Sequence, residues 1–187
     1  MDPFAVTCRY EPVPVGGAGL DRLLAALRAT HANGGVLLAR FRAVDVDGPW
    51  FATGAIVFED RSFRELLASA ALRGALPELE VPDPYPVAAP PRFQQSWAGT
   101  LSLDGELARV LVQGGAYVSF PGTAAEAKAL AAAAAHDLVG DRHEDFRVYG
   151  STDAWTPWFR DVAWDLTWFL VDDRDREVTV LCVTDND

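Results

Sequence analysis

Four of the six tryptophans, Trp155, Trp158, Trp164 and Trp168, fall close together and are interleaved with Asp153, Asp161 and Asp165. Two chemistries use such a mixture. Indoles give large contact area at low entropic cost and carboxylates attract cations, so Trp155, Trp158, Asp153, Asp161 and Asp165 are read as an acidic aromatic surface for a basic protein partner. Carboxylates also do general acid and base work or bind metals. Asp161 and Asp165 are four apart, however, and in a strand that is roughly 13 Å, too far to share one ion without ligands from elsewhere. Asp185 and Asp187 are further oxygen donors near the end of the chain. Asp172, Asp173 and Asp175 lack the glycine and distal glutamate of a calcium loop and alternate with Arg174 and Arg176, so they are read as a charged hairpin tip.

The three histidines, His31, His136 and His143, form no HExxH and no pair at i, i+4. His31 and His136 lie near the C-termini of expected helices, where the helix dipole favours an imidazolium. Cys8 and Cys182 stand in expected strands at opposite ends of the chain and are read as free, structural thiols. Gly16-Gly17-Ala18-Gly19 and Gly114-Gly115 lack the spacing and the lysine or acidic partner of a phosphate-binding loop. No cofactor and no metal set is expected.

The chain of 187 residues carries 27 acidic and 16 basic side chains, a net charge of −11. From Asp137 onward thirteen acids face five arginines, a net of −8, so the acidity is concentrated there. A single lysine, Lys128, leaves no basic patch for phosphates, which argues against nucleic acid. At 50% hydrophobic the composition is that of an ordered domain and not an acidic tail. The start, Met1-Asp2-Pro3-Phe4, shows no charged and apolar leader, and no apolar run approaches the ~18 residues of a membrane span. A cytoplasmic protein without membrane association is expected.

The elements that must position these residues follow from pattern. Residues 4–10 read as a short strand, and 20–31 as a helix with Leu20, Leu23, Leu24 and Leu27 on one face and Asn33-Gly34 as its stop. Residues 36–44 and 50–58 read as an antiparallel hairpin, with Leu37, Ala39, Phe41 and Ala43 inward, Arg40 and Arg42 outward, and Gly54 at a bulge or close approach. Ser62 and Glu65 form the pattern of a capping box for a helix ending by Gly74. Six prolines make 77–91 a surface loop. Residues 97–103 alternate as a half-buried strand, 106–113 fit a helix or a hairpin, and 117–120 fit a strand. Thr123 and Glu126 open an alanine-rich helix to about 138, whose small side chains allow close packing on the sheet. Residues 146–149 read as a strand, and 162–171 with 178–184 as a long hairpin. Alternation puts Trp164 and Trp168 on a core-like face of that hairpin, and Asp161 and Asp165 on a mixed one.

This order does not alternate as a doubly wound sheet does. The expected architecture is one α+β domain, residues 1–187, with a largely antiparallel sheet, helices packed on one face and a long C-terminal hairpin. The expected function is binding of a basic protein through the acidic, Trp-rich C-terminal surface. In size, acidity and lack of a catalytic motif the chain resembles the immunity proteins that neutralise bacterial toxins, a likeness of composition alone. Two other classes are open: a small carboxylate-dependent hydrolase or transferase, and a module in which Trp155 and Trp158 stack on a small planar ligand.

Overall fold

The computed structural model describes residues 7–48, 50–51, 56–85 and 93–187. Among these residues six strands form one antiparallel sheet in the order β1-β2-β6-β5-β4-β3. They are β1 (Thr7–Val13), β2 (Gly35–Asp47), β3 (Gln94–Gln95), β4 (Phe146–Ser151), β5 (Leu166–Asp172) and β6 (Glu177–Thr184). Among the described residues five α-helices accompany them: α1 (Ala18–Thr30), α2 (Ile56–Leu67), α3 (Ala70–Ala75), α4 (Leu103–Gln113) and α5 (Ala124–Val139). The fold is α+β, and β5 and β6 form the expected C-terminal hairpin.

The helices α1, α4 and α5 cover one face of the sheet, where Leu23, Leu27, Leu107 and Leu111 meet Val148, Trp168, Leu170 and Leu181. The opposite face is also buried, beneath α2, α3 and the segment after β4. Phe41, Tyr149, Phe169 and Val180 there meet Phe63, Leu66, Leu72 and Phe159. This second layer explains why β5 and β6 are apolar on both faces and not alternating.

Local signals hold where the partner lies nearby in sequence. The capping box of Thr123 and Glu126 is formed, with Glu126 N–H donating to the Thr123 hydroxyl at 3.2 Å and Thr123 N–H to the Glu126 carboxylate at 2.7 Å. Residues 106–113 are helical and end at Gly114. The alanine-rich α5 makes its close approach to α1 rather than to the sheet: a Cβ on Gly19 would lie 2.7 Å from the Ala133 carbonyl oxygen. Asp137 of α5 then accepts from Gly19 and Leu20 N–H at 2.7 and 2.8 Å, satisfying donors at the start of α1.

Five expectations fail. Within the expected strand 50–58, Trp50 and Phe51 form a turn and residues 56–58 belong to α2; β2 pairs with β1 and β6 along its two edges. Ser62 therefore lies inside α2 and accepts from Phe51 N–H at 2.8 Å, while Ser69 caps α3 through Leu72 N–H. Residues 97–103 are not a strand. Gly99 takes φ 53°, a left-handed conformation that breaks extended backbone, and a 3-10 turn over Gly99–Ser102 leads into α4. Residues 117–120 form no strand, and β5 begins only at Leu166. Part of the proline segment is anchored inward by Leu79, Val81 and Tyr85. Residues 52–55 with Gly54, residues 4–6 of the first expected strand and residues 86–91 of the proline loop lie outside the described residues. No described helix is long and apolar enough to cross a membrane.

Candidate functional site

The five residues read as a surface are not brought together on one. Trp155 is only 9% exposed and packs against Phe93, Phe159 and Phe169, its indole N–H donating to the Thr167 hydroxyl at 2.9 Å. Asp165 is 0% exposed. Its carboxylate accepts from Arg160 N–H at 3.2 Å, Val162 N–H at 3.0 Å and the Thr184 hydroxyl, so it fastens the 160–165 loop to the end of β6. Trp158 is half-buried, edge-on to Phe159 at 5.0 Å, while Asp153 and Asp161 are exposed. Trp168 is buried, as the hairpin reading allows, and Trp164 is half-buried. Alternation cannot show this, because the chain before Leu166 loops back over the face that it was expected to expose.

The remaining C-terminal acids are mostly internal fasteners too. Arg142 reaches Asp172 at 2.6 Å and Asp175 at 3.0 Å, Arg147 holds Asp173, and Glu177 meets Arg42 at 2.6 Å. Asp185, itself buried, accepts from Asn33 N–H at 2.8 Å and Ala116 N–H at 2.7 Å. The expected hairpin tip is thus latched by arginines, and its Asp172 carboxylate also accepts from Arg174 and Asp175 N–H at 3.1 Å. Asp104 pairs with Lys128 at 2.7 Å, and that ammonium lowers its pKa.

Neither thiol is activated. Both cysteines are free; burial pushes the Cys182 thiol up to about 12 and raises Cys8 as well, so neither is poised as a thiolate. His31 is buried at the end of α1, His136 lies in the last turn of α5, and His143 Nδ1 lies 3.0 Å from the Thr100 hydroxyl. Among the described residues no three His, Cys, Asp or Glu side chains are grouped to hold a metal ion.

A site does form where β3, β4 and β5 end beside α4. A cleft of about 490 Å³ opens there. Its floor is Val148, Gly150, Leu166 and Trp168; one wall is Ser102, Glu106 and Arg109; the other carries Gln94, Ser96, Ser151 and Asp153. Convergent polar groups over an apolar floor are the composition of a binding site. The turn between Ser96 and Gly99, both lining the cleft, carries Trp97, which is fully exposed, and Leu101 just beyond is 75% exposed. A second, apolar hollow of about 670 Å³ between α1 and α5 has only Arg22 and Glu126 as charged groups. Of the five expected residues only Asp153 lines the polar cleft. Trp97 and Leu101 escape the sequence reading because alternation counted them as core; Gly99 between them was the available sign of a turn. No family model matches the chain, and no curated protein is significantly similar to it.

Proposed function

We propose that the chain binds a basic protein partner, and that docking uses the polar cleft and the adjoining turn rather than the tryptophan-bearing segment 155–165. The observation that carries this is Trp97, an indole wholly in solvent beside Leu101 at the mouth of an open cleft. A tryptophan is seldom left outside a core at no benefit, and interface energy concentrates in such anchors. Charge supports the sign of the partner: the chain carries −11, and Glu106 and Asp153 stand in the cleft walls with Glu144 exposed beside His143. The compositional likeness to immunity proteins belongs to the same reading, since a basic toxin is a partner of this kind, and the reading places the protein in the cytoplasm.

Affinity capture from the encoding organism, with mass spectrometry of the retained proteins, tests it. A basic protein is expected at low salt, its retention falling as ionic strength rises and the Debye length shrinks to about 8 Å at physiological salt. Trp97→Ala is expected to weaken capture by about 2 kcal/mol or more, roughly thirtyfold, as for a central anchor. Capture unchanged by that substitution removes the proposal.

A further inference from the structure

Gly150 lies within β4, paired with Gln94 on one side and Trp168 on the other, and it lines the cleft floor. A Cβ at this position would meet nothing nearer than the Thr167 carbonyl oxygen at 3.8 Å, so packing does not require a glycine here. A glycine weakens a strand interior and often marks a place where a ligand or another backbone approaches closely. Here the missing side chain keeps the floor open between the sheet and α4.

The groups around that opening can accept hydrogen bonds from two walls. Glu106 supplies a carboxylate, Gln94 an amide oxygen, and Ser96, Ser102 and Ser151 hydroxyls that both accept and donate. The cation in the wall, Arg109, is drawn along its own helix, donating to Gln113 at 2.6 Å with Glu106 at 3.6 Å. Resting on the proposed docking function, we infer that the cleft takes an arginine side chain of the partner. Its planar guanidinium carries five donors in a fixed fork and is less strongly hydrated than an ammonium, which suits a part-enclosed site with acceptors on opposite sides. The alkyl stem lies along Val148, Leu166 and Trp168, the apolar floor. An entering guanidinium competes with Arg109 for Glu106, so Arg109 opposes binding.

The test is an NMR titration of the labelled whole chain with N-acetyl-arginine methylamide, against the citrulline and lysine analogues. Arginine is expected to shift the amides of Ser96, Glu106, Gly150 and Ser151 saturably, with citrulline, the uncharged isostere, bound about tenfold more weakly or worse. Gly150→Leu fills the floor and is expected to abolish the shifts. Glu106→Gln, on an exposed turn of α4 where folding is not at stake, is expected to cost about tenfold. Arg109→Gln is expected to tighten binding severalfold, a sign that a cleft built for anions would reverse. Citrulline bound as well as arginine, no shifts at millimolar probe, or weaker binding in Arg109→Gln overturns the inference. If Trp97→Ala abolishes partner capture while the cleft ignores arginine, docking stands and the arginine anchor falls. If the cleft binds arginine and no basic partner is captured, the anchor site stands and the docking function falls.

Discussion

Trp97 and Trp155 show how far an indole's role depends on its surroundings and how little on its type. Trp155 fills the space among Phe93, Phe159 and Phe169 and satisfies its N–H on Thr167, a side chain that is itself buried on β5. Trp97 touches solvent over its whole surface. Replacing each by alanine therefore separates core from contact. Trp155→Ala is expected to cost about 3–5 kcal/mol, because it leaves a cavity between the sheet and the 152–165 segment and strips the Thr167 hydroxyl of a donor. Trp97→Ala is expected to change stability by no more than about 0.5 kcal/mol, since nothing packs on it. Urea denaturation of both variants measures the difference. A stability loss in Trp97→Ala like that in Trp155→Ala would make the exposed indole a structural residue and remove the anchor from the binding site.

At the scale of elements, the end of α1 is the place where titration acts on structure. His31 caps the helix with its ring buried; Nδ1 lies 2.9 Å from the Thr30 hydroxyl and 3.1 Å from the Leu27 carbonyl. The other nitrogen, Nε2, is buried with no hydrogen-bond partner among the described residues. Protonation would put a charge there, and burial lowers the His31 pKa below its ordinary 6.5, with the Leu27 carbonyl and the Asp185 carboxylate opposing the shift only in part. The unfolded chain then takes up a proton near 6.5 that the folded chain refuses, so stability present above that pH is lost as pH falls from about 6.5 towards the lower folded value. Unfolding free energies measured between pH 7.5 and 5 should fall more steeply for the wild type than for His31→Gln; equal slopes would show that this ring does not couple. The same helix was legible in the sequence, as were α5 and the β5–β6 hairpin, because Leu20, Leu23, Leu24 and Leu27, the Thr123–Glu126 box and the turn at 173–176 are local signals. The start of α2 within the expected strand 50–58 was not legible, since the edge of β2 offered to that strand is taken by β6, more than a hundred residues away. The candidate site suffered likewise: Gly150, Gln94 and Glu106 meet only through long-range packing, and the carboxylates expected at the surface, Asp165 foremost, are consumed by backbone donors that no spacing rule reveals.

For the whole molecule, the net charge of −11 has two consequences with opposite salt dependence. Within the chain, many of the C-terminal carboxylates sit in short contacts with arginines or backbone N–H groups, some of them, like Asp172 at 2% exposure, well out of water. Such contacts lie far inside a Debye length and are screened little, whereas the surplus negative charges repel one another over longer distances and are screened strongly. Added salt is therefore expected to leave Tm unchanged or raise it by a few degrees between low and physiological ionic strength. Binding runs the other way. Attraction between an acidic surface and a basic partner acts across the same long distances, so the salt that relieves internal repulsion weakens association and slows encounter. Measuring Tm of the free chain and Kd for the captured partner across one salt series puts both on the same axis: stability should hold or rise while affinity falls. If Tm drops in parallel with affinity, the exposed ion pairs and not the net charge govern the electrostatics, and the acidity is spent on holding the fold together rather than on attracting a partner.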